Sequence, residues 1–189
     1  MDFKEFSEEF ARHRMEVKKL IHEDLPKKVG NLAVSLFKRN FREGGFFGER
    51  WKPSKRLSGT RGAGSRRITL TGTGDLGRSI QYETSDAEVT IFSDLEYSAI
   101  HNEGGDLSPR VTPKMRRFAW AMFYKNGGGR KAAQLTEEAQ HWRAMAITKK
   151  ETLRVHIPRR QFLGEHQTLQ NAIADKISDE MYNTLTNKT

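Results

Sequence analysis

Between Asp2 and Glu23 the apolar positions Phe3, Phe6, Phe10, Val17 and Leu20 recur at spacings of three, four, seven and three, with His13 in the vacant seam position. A 3.6-residue repeat brings such positions onto one face, so the pattern predicts an amphipathic helix whose stripe covers a core. A second stripe comes next in Leu25, Val29, Leu32, Leu36 and Phe37, with Asp24 as the expected N-cap and Pro26 in the first turn, where its missing N–H costs nothing. Gly44–Gly45 ends it. The two helices read as a long N-terminal pair or one kinked rod.

Apolar periodicity then stops. Residues 44–67 combine glycine, proline, serine and arginine, which reads as a basic loop or arm, although Phe46, Phe47 and Trp51 are too apolar for a purely solvated linker. Alternation resumes in Ser79–Thr84 and Ala87–Phe92, with Ser85–Asp86 as the turn of a β-hairpin. Asp94 is the expected cap of a short helix carrying Leu95, Tyr97, Ala99 and Ile100, stopped by Gly104–Gly105. Pro113 starts another, with Met115, Phe118, Ala119, Met122 and Phe123 on one face. Residues 126–150 show moderate helical character without a clean stripe and read as an insertion. Thr152–Ile157 alternates as a strand ended by Pro158, and a last helix over about Glu165–Leu185 carries Leu169, Ile173, Ile177 and Met181 at i+4 spacing. The order predicts an α+β fold: a small antiparallel β-sheet packed with long N-terminal and C-terminal helices, with extended loop insertions. Its segments are N-terminal helices at 1–43, the arm at 44–67, and an α+β domain at 68–189.

Charge changes this picture in one place. The chain carries a formal charge of +9, and residues 38–67 hold ten basic side chains against two acidic ones. The rest is close to neutral. Within the arm, Arg50, Lys52, Lys55, Arg56, Arg61, Arg66 and Arg67 with Trp51 are candidate docking residues. Cations interleaved with aromatics can neutralise phosphates and stack on exposed bases. The competing reading is an arm that embraces an acidic neighbouring subunit and orders on assembly. There is no cysteine, which excludes disulfides and thiolate chemistry. No apolar run approaches a membrane span, and the acidic, amphipathic start is unlike a secretory leader, so no membrane partner is expected.

Candidate chemistry is sparse. Gly72, Gly74 and Gly77 spell GxGxxG, but a dinucleotide site needs that motif within a βαβ unit, and the residues from Arg78 to Thr84 alternate as a strand. His101 lies near Glu103 and Asp106 without metal-ligand spacing, and Ser58, Ser65, Ser79 and Ser98 sit in no nucleophile elbow. No catalytic, cofactor-binding or metal-binding residue is nominated. Pro158–Gly164 has a mechanical reading instead. Pro158 ends the strand, Phe162 and Leu163 anchor the turn, and Gly164 takes a backbone angle that other residues resist. Arg159 and Arg160 either serve only that corner or also bind a neighbouring subunit.

Four segments in order carry a resemblance: LTGTGDLGRSI (Leu70–Ile80), YSAIHNEGG (Tyr97–Gly105), TPKMRRFAWAMFY (Thr112–Tyr124) and IPRRQFLG (Ile157–Gly164). Over roughly residues 68–186 the chain resembles the phage virion-morphogenesis family, which includes tail-completion proteins of myophages and a Mu-like prophage protein. The first glycine turn is two residues longer than that pattern, and the segment from Asn126 to Lys150 is a long insertion. The resemblance implies a non-enzymatic virion protein without a cofactor, assembled in the host bacterial cytoplasm. It implies a ring, first guessed as a hexamer, at the head–tail junction, docking on a head connector, tail tube or tail terminator. The alternative is a DNA-binding accessory protein working through the arm.

Overall fold

The structure, a computed structural model, describes residues 2–53, 68–129 and 134–186. It has two compact units, one made of residues 1–104 and 158–189 and the other of residues 105–157. Together they are α+β.

In the first unit, α1 (Phe3–Lys19) and α2 (Leu25–Glu43) are joined by a single π-helical turn, Leu20–Asp24. Asp24 is therefore not an N-cap: its backbone is αR and its side chain makes no capping bond, because the helix runs straight through it. The added residue of a π turn rotates the next stretch of helix by about 100°, so the stripe of α1 does not continue into the face that α2 buries. That face also differs from the expected leucine stripe. Leu25 and Phe37 of that stripe are buried, but Pro26, Gly30, Ala33, Asn40 and Phe41 make up the rest of the buried face, while Val29, Leu32 and Leu36 are half-buried. Small residues here let a neighbour come close. A Cβ on Gly30 would lie 2.3 Å from the Tyr82 ring. Gly44, at φ 73°, closes α2 in the left-handed conformation.

The start of the arm is ordered structure rather than loop. β1 (Gly45–Phe46) and β2 (Glu49–Arg50) form a tight antiparallel hairpin around Phe47 and Gly48, both at positive φ. Phe47 tolerates this because its N–H donates to Asn40 Oδ1 at 3.1 Å and its ring stacks on His166 at 4.6 Å. A one-turn helix, α3 (Asp75–Arg78), leads into the antiparallel hairpin of β3 (Ile80–Ser85) and β4 (Glu88–Ser93), which packs on α2. Ser85 pairs with Glu88, so the turn is Asp86–Ala87, one residue later than the alternation predicts. The short helix α4 (Ser98–Glu103) begins after Tyr97 and is not capped by Asp94. The chain returns at Pro158 and ends in α7 (Gln167–Thr186), whose Leu169 and Ile173 reach the core. Lys28 of α2 pairs with Glu180 of α7, and Lys176 holds the same carboxylate at 2.7 Å. These two lysines keep the Glu180 carboxyl below its ordinary range, Lys176 contributing most.

The second unit holds β5 (Gly105–Leu107) paired antiparallel with β6 (Val155–Ile157), and two helices, α5 (Pro113–Lys125) and α6 (Glu137–Ile147). Thr112 and Thr136 cap them, each accepting from the N–H three residues on. The α6 region, read from sequence as an insertion without a stripe, packs on α5 by burying alanines. Ala139 and Ala146 are enclosed, and Arg116 donates to the Ala146 carbonyl at 3.1 Å. Small side chains bring helices together without a large apolar signature, which is why the pattern is weak there.

Among the described residues no helix is long and apolar enough to cross a membrane.

Candidate functional site

Three of the four segments that carry the family resemblance meet in the first unit. The glycine turn before α3, the helix α4 and the corner Pro158–Gly164 surround one open cavity of about 250 Å³, walled by Leu70, Thr73, Asp75, Tyr97, His101 and Arg160 among others. The fourth segment forms α5, in the second unit.

The corner is held from two sides. From α4, the Asn102 side-chain oxygen accepts from both Phe162 N–H and Leu163 N–H at 2.9 Å, and the His101 carbonyl accepts from Arg160 N–H at 2.9 Å. From the base of the arm, the Trp51 indole N–H donates to the Gln161 carbonyl at 2.7 Å, and Arg160 Nε donates to the Lys52 carbonyl at 3.0 Å. Phe162 fills the space between, fully buried against Phe41 at 5.3 Å between ring centroids. Leu163 packs partly buried on the same core, and Pro158 comes directly after β6. Gly164 sits at φ 136°, where a Cβ would also lie 2.6 Å from the Gln161 amide nitrogen. One residue on from Glu165, His166 Nδ1 accepts from Thr168 N–H at 3.1 Å and so caps α7.

The candidate docking residues separate in this frame. Trp51 is buried in the core against Phe41, so its ring is committed to the fold and not offered to a partner. Arg50 and Lys52 are exposed on either side of it. Lys55, Arg56, Arg61, Arg66 and Arg67 lie outside the described residues. Arg159 is exposed, its guanidinium donating to Gln161 Oε1 at 2.7 Å. Its neighbour Arg160 is only 7 % exposed. Burial pulls the Arg160 guanidinium below its ordinary pKa. His101 is likewise shifted down, first by burial and then by the charge of Arg160, so its imidazole favours the neutral form. Its Nδ1 is buried without a partner among the described residues.

Gly72, Gly74 and Gly77 do not form a dinucleotide cradle. Gly74 caps a helix of four residues, and the strands after it are an antiparallel hairpin and not a βαβ unit. Within this turn the Asp75 carboxylate accepts from Thr73 and from Arg78, the latter at 2.6 Å, and both bonds lower its pKa, Thr73 more. Of the acids near His101 in sequence, Glu103 accepts from Asn102 Nδ2 and Asp106 pairs with His156 across β5 and β6. Asn102 and Asn40 are the positions that sequence reasoning missed. A lone asparagine carries no periodic signal; what marks both is a side-chain oxygen accepting from backbone N–H groups, that of Phe47 in the adjoining hairpin for Asn40 and those of Phe162 and Leu163, far off in the chain, for Asn102.

No curated protein and no solved structure matches the chain. A family model for phage virion morphogenesis matches residues 22–182, from the π turn to near the end of α7 and across both units. That span takes in the whole corner and all three walls of the cavity. Such a family points to a structural part in the phage particle, and this chain belongs to the phage virion morphogenesis family.

Proposed function

We propose that the chain is a ring-forming tail-completion or neck component at the head–tail junction, assembled in the host cytoplasm. The observation that carries this is the face of α1. Phe3, Phe6 and Phe10 are 84 %, 55 % and 64 % exposed, on a helix without one buried residue. A contiguous apolar stripe in water calls for a partner. Second copies of the same helix fit it. Taken as a heptad, Phe3, Phe10 and Val17 alternate with Phe6 and His13 in the seam, Asp2, Glu9 and Glu16 line one flank, and Arg14 lies on the other with Lys4 and Lys18 behind it. Side-by-side parallel packing sets each acidic flank against the next basic one and repeats around a closed ring. Antiparallel pairing sets acid against acid. The exposed stripe is short, so it favours a contact that works with others rather than an independent coil.

A connector, tail tube or tail terminator is then the docking surface for the ring. Sedimentation and electron microscopy of the purified chain, alone and mixed with tails, test the reading. A discrete oligomer, a hexamer first, is expected. A strict monomer that never associates with virion parts overturns it.

The concentration of ten basic residues within 38–67, of which Arg50 and Lys52 are exposed, favours a second reading as a DNA-binding accessory protein. It predicts affinity that falls steeply with salt. Absence of binding to both duplex and single strands at low salt removes it.

A further inference from the structure

The cavity beside the corner holds a charge that the described chain does not answer. Arg160 is 7 % exposed, and its Nε is taken up by the Lys52 carbonyl. Both Nη groups, four N–H donors, have no acceptor among the described residues, and Arg160 makes no ion pair among them. Asp75, the carboxylate in the same wall, is already held by Arg78 and Thr73. The remaining residues of the chain carry no aspartate or glutamate. The Nη groups of this largely enclosed guanidinium open on the cavity without a counter-anion, and a planar oxyanion meeting its fork makes charge-assisted bonds there. His101 lines the cavity too, with its Nδ1 unpartnered among the described residues.

The geometry points to this cavity as a receptor for a carboxylate, the aspartate or glutamate side chain of an assembly partner, gripped end-on by the two Nη groups of Arg160. One uncompensated positive charge matches one monoanion. An arginine this little exposed is reached by a slender group, and a carboxylate on a short alkyl stem is one. A nucleic-acid phosphate, flanked by a sugar on either side, is not. The cavity of about 250 Å³ has room for such a side chain. The assignment rests on the chain being an assembly component, not on the ring.

The test uses the full-length chain, melted in sodium acetate and in sodium chloride at equal ionic strength, beside Arg160→Gln. With acetate at about ten times its dissociation constant, the wild type gains about 3–5 °C over chloride. The variant shows no such gain, and its response subtracts the general effect of acetate on burial. Equal responses in both proteins overturn the proposal. A response to inorganic phosphate with none to acetate also overturns it. If Arg160→Gln does not fold, wild-type crystals grown in acetate decide: acetate seated end-on against the two Nη groups of Arg160 supports the site, and water or chloride there rejects it. A chain that takes acetate yet never assembles defeats the ring reading alone. Rings without an acetate response defeat the site alone.

Discussion

Phe162, in the corner, is 0 % exposed, whereas Phe3, on α1, is 84 % exposed. Both stand in sequence patterns that predict burial, one beside a proline and a glycine, the other in a helical stripe. The corner finds its cover within the chain, from Phe41, Trp51 and the Asn102 side chain. The phenylalanine end of the α1 stripe, Phe3, Phe6 and Phe10, stays exposed, although Leu20 at its other end is buried. An apolar pattern therefore reports that a face needs covering, and leaves open whether the cover lies in the same chain. In a family of virion-building proteins that second outcome is a clue to assembly rather than a defect of folding.

The widest contrast comes from Phe162→Ala. Emptying a fully enclosed aromatic site costs about 3–5 kcal/mol, enough to bring the first unit close to unfolding, and urea titration by circular dichroism measures it. A loss under about 1 kcal/mol would mean the corner is no more committed than α1. Asn102→Ala is expected next, at about 2–3 kcal/mol, because it strips the acceptor from two backbone N–H groups at once. Its effect exceeds that of Asn171→Ala, an exposed side chain on α7.

Acid gives a smaller contrast. The folded-state pKa of His101 lies below its ordinary value, so below about pH 6.5 the unfolded chain binds the proton more readily than the folded one. Stability is therefore fully present above that pH and falls as the medium is acidified toward the folded-state value. Melting temperatures from pH 8 to about pH 5.5 should fall more steeply for the wild type than for His101→Gln; parallel curves would show that His101 does not contribute. The smallest effect on folding belongs to the double change Phe6→Ser and Phe10→Ser. Exposed residues lose little on substitution, about 0.5 kcal/mol or less, while sedimentation should show a clear loss of self-association. A large drop in melting temperature with unchanged association would reverse the comparison, making α1 a folding element.

Much of the architecture was legible locally. The breaks at Gly44 and Gly104, the strand ended by Pro158, the hairpin to within one residue and the α+β order all come from periodicity and from the backbone limits of proline and glycine. What was not legible arises where a side chain answers a distant group. Asp94 and Asp24 look like caps, yet the helix near the first begins later and the helix at the second does not stop. The α5–α6 contact was hidden because the enclosed positions of α6 are alanines.

The sequence by itself determined the elements, the uneven charge and the motifs of the family. Which face of α2 is buried, and that the phenylalanines of α1 stay uncovered, were decided by the tertiary structure. Arg159 and Arg160 show the reason most directly. They are adjacent and identical in local chemistry, and no periodicity distinguishes them. Arg160 is buried because its acceptors, the carbonyl of Lys52 and, for its backbone, that of His101, stand far off in the chain and next to it in space. Local geometry is written in residue spacing, but a long-range hydrogen bond exists only once the chain has closed on itself.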